Sequence, residues 1–376
     1  MKEYSLSIKY IPSLDGIRAI SVFIVLVSHA GLGHIIPGGL GVTVFFFLSG
    51  FLITTLLIEE YEKKCSINVP NFFARRFLRL FPPLAVSSGI AYTLFYFGFL
   101  NGGASWSGFL SQMLYFANYH QIFKFGGEIP EGTEVLWSLA VEEHFYLVFP
   151  VFILVCFRFL GNKRIPWVLA GISLIVFLWR VYLVIFKHVP PLRTYYATDT
   201  RIDSIIFGSL FAFISNPVKK QPCSNLLLKD YLLLIVGVIA LLFSLLYRSD
   251  AFRQTWRYSL QGIALMPIFY YAVNRYQNPI FKWLNWEWVR KLGIYSYFIY
   301  LIHHVIIKGL QKYLYFKENI YALILTTTLA SVFFAFIMDE YFDIYFKTLR
   351  KKFRHDSYQP SLASNTAVNP YTSVNY

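Results

Sequence analysis

The stretch that decides the fold is LDGIRAISVFIVLVSHAGLGHIIPGGLGVTVFFFLSGFLITT, from Leu14 to Thr55. It contains two apolar segments separated by a Gly- and Pro-rich elbow, Gly31 to Gly41. An apolar segment of about 20 residues is long enough to cross a bilayer as a helix. The pattern therefore predicts two membrane helices joined by a tight turn.

The first of these two segments carries two ionisable residues, Arg18 and His29. Eleven residues at about 100° each come to about 20° beyond three full turns, with a rise of about 16 Å. Arg18 and His29 therefore share one helix face, the arginine near a membrane surface and the histidine well inside. An ionisable residue inside a membrane helix is a functional-site hypothesis by default. The alternative is a juxtamembrane arginine and a histidine that hydrogen-bonds to a neighbouring helix.

Composition places the whole chain in a membrane. Its 376 residues are 56% hydrophobic, 20% aromatic and 14% charged, and the mean hydropathy is +0.51, whereas soluble domains carry about 25% charged residues. The net charge of +14 comes from short basic clusters between apolar segments, as the positive-inside rule produces. No basic face or base-stacking motif accompanies the charge, so nucleic acid is not an expected partner.

Ten apolar segments are candidates for membrane helices. They lie near residues 14–34, 39–58, 81–100, 136–157, 166–186, 198–215, 230–247, 256–273, 292–310 and 320–342. With a cytoplasmic N-terminus, the loops on that side hold more than twice as many Lys and Arg residues as the outer loops. The predicted fold class is all-α, a polytopic membrane helix bundle of about ten transmembrane helices with both termini cytoplasmic. Residues 1–346 form the predicted membrane domain, and residues 347–376 a basic and then disordered cytoplasmic tail.

A basic cluster, NFFARRFLRLFPP at residues 71–83, precedes the third candidate span. Arg75, Arg76 and Arg79 fall on or near one helical face, and guanidinium groups suit phosphate oxygens. The pair Pro82–Pro83 is predicted to mark the start of the membrane helix. The alternative interpretation is that these charges set the topology or contact lipid headgroups.

The segment VLWSLAVEEHFYLVFP, residues 135–150, places Glu142 at the start of a long apolar run. A carboxylate held at membrane depth must be paired or neutralised. Three functional roles are open to it: orienting His29, binding a sugar hydroxyl, or acting as the base itself. A structural ion pair is the alternative.

Two further polar groups lie in or beside later spans. In TDTRIDSIIFG, residues 198–208, Asp199, Arg201 and Asp203 alternate in charge at the outer mouth of a span, and inter-helix salt bridges are as well supported as substrate binding. In GIYSYFIYLIHH, residues 293–304, His303 is favoured as a packed, hydrogen-bonded histidine and is also kept as a substrate-binding candidate. No carboxylate lies at metal-ligand spacing on that helix, and the three cysteines show no such spacing, so no metal is expected.

The order of these motifs resembles acyltransferase family 3, the integral-membrane O-acyltransferases of bacterial carbohydrates. The motifs are LDGIRAI followed by the histidine, GVTVFFFLSGFLIT, RRFLRLFPP, LWSLAVEEHFY, RIDSIIFG and SYFIYLIHH, and the resemblance runs from about residue 10 to 345. The family's Arg-x10-His pair falls on Arg18 and His29, its basic motif on Arg76 and Arg79, and its Trp-Ser-Leu-x-x-Glu motif on Glu142. The resemblance implies a ten-span core that moves an acyl group, usually acetyl, from cytoplasmic coenzyme A to a sugar hydroxyl.

Two positions depart from the family pattern. Thr43 stands where the family often has a carboxylate, and Ala19 stands where it often has glycine. Some members carry an additional hydrolase-like domain outside the membrane. On the resemblance we expect the membrane core of this chain to transfer the acyl group by itself.

The resemblance assigns a role to each candidate residue. Arg75, Arg76 and Arg79 are expected to hold the phosphates of acetyl-CoA, which serves as acyl donor. His29 is expected to remove the proton from the acceptor hydroxyl or to carry the acyl group. Glu142 would orient its imidazole or offset its charge, and Arg18 would contact the donor or stabilise the oxyanion. The expected acceptor is a cell-surface or lipid-linked carbohydrate, and the expected location is the bacterial inner membrane.

A transporter or flippase of a polar carbohydrate or drug-like molecule is the rival interpretation. In such a protein the same polar residues would line a pathway. The chain has no Walker loop, Rossmann glycine fingerprint, HExxH or GxSxG motif, and spacing and composition alone do not separate an enzyme from a transporter. Binding of coenzyme A would discriminate, because a transporter has no reason to bind it.

Overall fold

The computed structural model of the protein describes residues 11–124, 127–216, 228–274 and 278–353. Within these residues the secondary structure is helical and no strand forms, apart from a single β-bridge between Gly102 and Pro130. The all-α prediction is confirmed.

Ten helices of the described chain have between 16 and 28 residues, and each overlaps one of the ten predicted segments. In chain order they are α1 (Pro12–Val27), α2 (Gly38–Lys64), α3 (Val69–Tyr96), α4 (Trp137–Phe159), α5 (Ile165–Ile185), α6 (Thr198–Ile214), α7 (Leu228–Leu246), α8 (Trp256–Asn274), α9 (Glu287–Leu310) and α10 (Ile320–Ile337). The largest difference concerns α3, which begins before the arginine cluster. The prediction that Pro82 and Pro83 start this helix is wrong, because both lie inside it.

Shorter helical segments connect the long helices. They are Ser28–Leu32, Trp106–Met113, Ala117–Lys124, Glu134–Leu136, Pro191–Tyr196, Asp250–Gln254, Pro279–Lys282, Trp283–Asn285, Leu314–Glu318, Met338–Phe342 and Asp343–Lys352. Ser28–Leu32 and Met338–Phe342 are π-helical. The short apolar stretch at residues 109–120 is divided between two short helices.

Five helices of the described chain are long and apolar enough to cross a membrane, judged by length and composition. They cover Pro12–Leu32, Gly38–Lys64, Glu134–Phe159, Ile165–Ile185 and Ile320–Lys352. The other five long helices are shorter or carry more charge; α6, for example, has 17 residues and includes Arg201. These spans support a multi-pass membrane protein.

Several helices turn bare apolar faces outward. Ile175 on α5 is 66% exposed, Val236 on α7 is 61% exposed, and Phe333 on α10 is 65% exposed. In water such faces would be a liability, whereas in a bilayer they meet lipid. The expected lipid partner is consistent with this surface.

The elbow between α1 and α2 depends on glycine. The π-helical turn after α1 includes Gly31 at φ +125°, a conformation that L side chains rarely adopt. A Cβ on Gly38 would lie 2.6 Å from Ser28 Oγ, so the start of α2 packs tightly against the end of α1. His29 lies in this π-helical turn, Ser28–Leu32, and single π-helical turns are frequent at functional sites.

The RIDSIIFG and FFFLSGF motifs meet at one close helix crossing. Gly208 of α6 packs against the backbone of Phe47, and Gly50 of α2 packs against the backbone of Ile205. Small residues let two membrane helices approach closely. Much of what makes these motifs distinctive therefore serves packing.

The two ends of the bundle can be told apart by these contacts. Gly293 near the start of α9 packs on the backbone of Asp15 near the start of α1, and we call this the Arg18 end. The opposite end holds the elbow, and we call it the elbow end. α2 begins there beside Ser28. α6 runs parallel to α2, because Thr43 contacts Arg201 and, further along both, Thr55 contacts Asn216. α8 runs parallel to α6, because Asp203 contacts Ser259 and Phe207 packs against Gly262.

Some sequence-based expectations lie outside the described residues. These are the N-terminal residues 1–10, several of the basic residues used to assign topology (Lys219, Lys220, Arg275), Cys223, and residues 354–376 of the tail. The first residues of the predicted tail are helical, since Asp343–Lys352 forms a helix.

Candidate active site

A cavity runs through the bundle between α1, α2, α3, α4 and α9. It encloses about 910 Å³ of empty space, counting the part open to solvent. Four charged residues line it: Arg18, Arg76, Arg79 and Glu142. The structure thus brings together side chains from three separate motifs in one cavity.

Three arginines make one part of this cavity strongly cationic. Arg79 lies within coulombic range of Arg18 and Arg76, and also of Arg350. The Arg76 guanidinium lies 3.4 Å from the centre of the Tyr146 ring, and its buried Nε has no hydrogen-bond partner among the described residues. Like charges repel when held together, so the cluster is suited to a ligand with several negative charges, such as a polyphosphate.

Arg75 differs from the other two arginines of its cluster. Its Nη1 donates a 2.8 Å hydrogen bond to the carbonyl oxygen of Phe353, beyond the last helix, and it does not line the cavity. Neighbouring residues on a helix point about 100° apart, so Arg75 and Arg76 face different surroundings. The geometry favours Arg76 and Arg79 as ligand-binding residues and Arg75 as a tether for the C-terminal segment.

Arg18 and Glu142 have partners inside the bundle. Arg18 Nη1 donates to Asp15 Oδ1 at 3.2 Å, and Asp15 is fully buried. Glu142 accepts a 3.2 Å hydrogen bond from the Tyr146 hydroxyl and lies within coulombic range of Arg76. In the described part of the chain no hydrogen bond joins Glu142 to His29. The carboxylate therefore does not orient that imidazole, and its charge acts on the arginine cluster.

A second histidine orients His29. The Nδ1 atom of His29 lies 2.9 Å from Nε2 of His303, and Nδ1 of His303 lies 2.8 Å from the carbonyl oxygen of Tyr300. A carbonyl oxygen only accepts, so His303 carries its proton on Nδ1, and in the neutral ring Nε2 is an acceptor. His29 then donates from Nδ1, which leaves its Nε2 deprotonated and able to accept a proton.

Two residues of this arrangement escaped the sequence analysis as functional candidates. The ring of His304 lies 4.6 Å from that of His29, centre to centre, and Nδ1 of His304 lies 3.4 Å from Glu134 Oε2. Glu134 is fixed in turn by the Gly132 N–H at 2.7 Å. For His304 the sequence did hold a signal, the adjacent pair His303–His304 in an apolar segment. For Glu134 it held none, because this residue lies just before the segment 135–150 that contains Glu142.

Tyr300 connects the histidine pair with the cavity. Its ring lines the cavity and lies 5.5 Å from the His303 ring. Its hydroxyl bonds to Ser138, another lining residue, at 2.7 Å. His29 itself is not among the lining residues but is partly exposed, whereas His303 is fully buried. Tyr300 therefore links the cavity to His303 and, through it, to His29.

The motif containing Asp199, Arg201 and Asp203 does not form a single site. Asp199 pairs with Arg193 and accepts from Trp179 Nε1 at 2.7 Å. Asp203 is held by Arg180 through hydrogen bonds of 3.1 and 2.9 Å, with both side chains fully buried. For the two aspartates the salt-bridge alternative is the one that the structure supports. Arg201 points elsewhere and contacts Thr43 at 3.3 Å.

In the described ranges no cluster of three or more His, Cys, Asp or Glu side chains is placed to hold a metal ion.

The cavity and the paired histidines lie within a bundle of largely apolar helices, and comparison with known proteins identifies the family. Residues 11–339 match the family described as the acyltransferase domain. The chain belongs to acyltransferase family 3, as the resemblance predicted.

Two curated relatives are O-acetyltransferases by name. The chain is 32% identical over 320 residues to the peptidoglycan O-acetyltransferase OatA of Listeria monocytogenes, covering 80% of this chain and 50% of that protein. It is 29% identical over 344 residues to the O-acetyltransferase OatA of Staphylococcus aureus, covering 88% of this chain and 57% of that protein. The chain thus spans about half the length of the curated relatives it matches. No solved structure matches it.

Proposed function

We propose that the protein is a membrane O-acyltransferase that moves an acyl group, in the first instance acetyl, from cytoplasmic acetyl-CoA to a hydroxyl of a cell-surface or lipid-linked carbohydrate. The observation that carries the proposal is the cavity, which connects Arg18, Arg76 and Arg79 with Tyr300, beside the histidine pair. Membership of the family and the names of the relatives support the reaction class.

The proposed topology has ten spans in a bacterial inner membrane, with both termini cytoplasmic. The ten long helices support this number of spans, and the excess of Lys and Arg in alternate loops supports this orientation. In this orientation the Arg18 end faces the cytoplasm, where acetyl-CoA is available. The elbow end, with His29, faces the extracytoplasmic side.

The residues around the cavity fit the proposed donor. Coenzyme A carries phosphates, and Arg76 and Arg79 offer guanidinium groups at the Arg18 end, with the buried Nε of Arg76 in need of an acceptor. The apolar lining beyond them, including Phe45 and Leu52, suits an uncharged arm. When bound there, the donor supplies an acyl thioester to the interior of the bundle.

His29 is the proposed general base. Its Nε2 removes the proton of the acceptor hydroxyl while that oxygen forms a bond to the acyl carbon. The bond from carbon to sulfur then breaks, and His29 returns the proton to the departing thiolate. His303 holds the imidazole in the productive tautomer throughout, the role that a carboxylate has in hydrolase triads.

The acceptor is proposed from the names of the relatives. Since one of them is a peptidoglycan O-acetyltransferase, peptidoglycan is the first carbohydrate to test. Lipid-linked and other cell-surface glycans follow if its acetylation does not change.

The decisive experiment deletes the gene and restores it as wild type or as His29→Ala. Mass spectrometry of the surface glycans should show an acetyl increment that disappears on deletion and returns only with the wild-type chain. Full acetylation by a well-expressed His29→Ala variant would refute the base assignment. A transporter would show no saturable binding of coenzyme A to the purified protein, so this binding measurement separates the two function classes.

A further inference from the structure

Arg201 is a fully buried cation whose hydrogen-bonding capacity is mostly unused. The residue is 0% exposed, and its Nη2 donates to Thr43 Oγ1 at 3.3 Å. Nε and Nη1 have no hydrogen-bond partner within the described ranges. An arginine does not lose its proton inside a protein, and a buried charge without a partner is strongly unfavourable. The guanidinium is therefore placed to meet a counter-charge that the described chain does not supply.

Asp203 is a carboxylate within coulombic range of Arg201, and it is already engaged by other partners. Asp203 accepts from Arg180 through both of its oxygens, at 3.1 and 2.9 Å. Its Oδ2 also accepts from the Ser259 hydroxyl at 2.8 Å. Most of the charge of Asp203 is thus balanced by Arg180 and Ser259.

Aromatic rings enclose the Arg201 guanidinium. Its Cζ lies 3.8 Å from the centre of the Tyr258 ring, 5.3 Å from that of Tyr195 and 5.7 Å from that of Trp137. A guanidinium and aromatic faces together suit a sugar with an acidic substituent, because apolar sugar faces pack on aromatic rings while the charge pairs with the anion.

A second arginine adds to the positive charge beside this enclosure. Arg257 Nη2 donates to the Tyr258 hydroxyl at 3.1 Å, and its Cζ lies 5.0 Å from the centre of the same ring. In the part of the chain that the structure describes, neither Arg257 nor Arg201 forms an ion pair with a carboxylate.

Four helices begin around this point, which adds the positive ends of their dipoles. Thr43 lies in the second turn of α2, Trp137 is the first residue of α4, Arg201 lies in the first turn of α6, and Tyr258 lies in the first turn of α8. Each helix start carries a partial positive charge that favours anions. These dipoles and the two guanidinium groups act in the same direction.

The location agrees with the entry of an acceptor from the elbow end. Half-buried Tyr195 borders the elbow, since a Cβ on Gly39 would lie 3.1 Å from its hydroxyl. On the inner side, Phe46 lies 5.5 Å from the Arg201 Cζ and also lines the cavity. The site therefore adjoins the cavity at its extracytoplasmic end.

We propose that Arg201, assisted by Arg257, binds an oxyanion carried by the acceptor, so that the acceptor is an acidic carbohydrate. The inference rests on the proposed function and deepens it by naming the acceptor's chemical class. The negative group of the sugar takes the place of the missing counter-charge, and the sugar ring packs against the half-buried ring of Tyr195.

Two variants of Thr43 test the site without removing the arginine. Thr43→Asp places a carboxylate beside Nη2 of Arg201 and supplies the counter-charge from within, whereas Thr43→Asn is its uncharged match. The full chain is purified in lipid nanodiscs. Thermal unfolding and calorimetry are measured with methyl glucuronide, with methyl glucoside, which lacks the carboxylate, and with inorganic phosphate.

The wild type and Thr43→Asn should bind the glucuronide at least about tenfold more tightly than the glucoside, the effect of about one charge-assisted hydrogen bond. Thr43→Asp should lose this preference and unfold at a higher temperature than the wild type without ligand. The proposal is overturned if the wild type shows no preference or if Thr43→Asp keeps it. Tighter binding of phosphate than of the glucuronide would assign a free-anion site and overturn the acceptor role. If the preference holds but no glycan acetylation depends on the chain, the enzymatic assignment fails and the acidic-carbohydrate site stands.

Discussion

The hydrogen bond between His29 and His303 can be tested by removing only its acceptor. His303→Leu keeps a side chain of similar bulk in a fully buried position but leaves the Nδ1–H of His29 without its 2.9 Å partner. The other tautomer of His29, with the proton on Nε2, then becomes populated. That tautomer does not accept a proton at Nε2, so the base is blocked.

The size of the effect follows from the bond that is lost. A buried donor left without its acceptor costs about 1–3 kcal/mol. At about 1.4 kcal/mol for each tenfold change in rate, kcat should fall roughly 5- to 150-fold. KM for acetyl-CoA should stay nearly constant, because His303 lies outside the group of residues that lines the cavity. Transfer of radiolabelled acetyl groups by the purified chain in nanodiscs measures both constants.

A conservative variant distinguishes tautomer control from simple packing. In His303→Gln the amide oxygen accepts from His29 and the amide N–H donates to the carbonyl oxygen of Tyr300, so most of the activity should return. His34→Gln, at an exposed elbow position, is the matched control and should leave kcat unchanged. If His303→Gln is as slow as His303→Leu, or if His303→Leu is as fast as wild type, the tautomer argument is refuted.

Three further predictions concern the donor site and the fold. Arg79→Gln should weaken coenzyme A binding by about tenfold or more, since charge-assisted hydrogen bonds contribute about 1.5–3 kcal/mol. Arg75→Gln is the control, because Arg75 lies outside the cavity lining, and it should change the calorimetric Kd less than threefold. Equal losses of affinity would place both arginines at the donor. Gly208→Ala should destabilise the chain by about 1–3 kcal/mol, because its Cβ meets the Phe47 backbone, and Gly171→Ala, with open space around it, should not lower the unfolding temperature. Asp203→Asn leaves a buried arginine uncompensated and should cost about 3–5 kcal/mol in thermal unfolding; a loss below about 1 kcal/mol would contradict a buried ion pair.

Periodicity and composition predicted the helices well, because apolar segments of membrane length are a strong local signal. The ten predicted segments overlap the ten long helices, and Arg18, Arg76, Arg79 and Glu142 line one cavity. The start of α3 was harder to predict, because its first turns are basic and amphipathic and because Pro82–Pro83 lie in its interior. Proline lacks a backbone N–H donor, but membrane helices tolerate it, because neighbouring helices and side chains can satisfy the backbone group that it leaves without a partner.

The partner of His29 was beyond the reach of local patterns. His303 lies 274 residues further along the chain, and no spacing rule connects two helices that far apart. From the motifs and the family resemblance, Glu142 was expected to orient the imidazole of His29 or to offset its charge. The structure instead assigns that position to a second histidine held by a backbone carbonyl.

The sequence does not show whether a buried arginine is compensated within the protein, and Arg180 and Arg201 illustrate the two cases. Arg180 and Arg201 are both fully buried, and their sequence context gives each the same prior for function. Arg180 makes five hydrogen bonds, to backbone oxygens, Asp203 and Ser259, so its charge and its donors are satisfied within the protein. Among the described residues, Arg201 makes one hydrogen bond, to Thr43.

Burying a charge is tolerated when the surrounding groups compensate it, and compensation is a property of three-dimensional neighbours. A buried arginine with every donor used holds helices together, and removing its partner should lower stability. A buried arginine with most donors unused gains its compensation from something that binds, and supplying a carboxylate from within should raise stability while removing the ligand preference. Asp203→Asn and Thr43→Asp are therefore opposite tests of one principle, and their effects on unfolding should differ in sign.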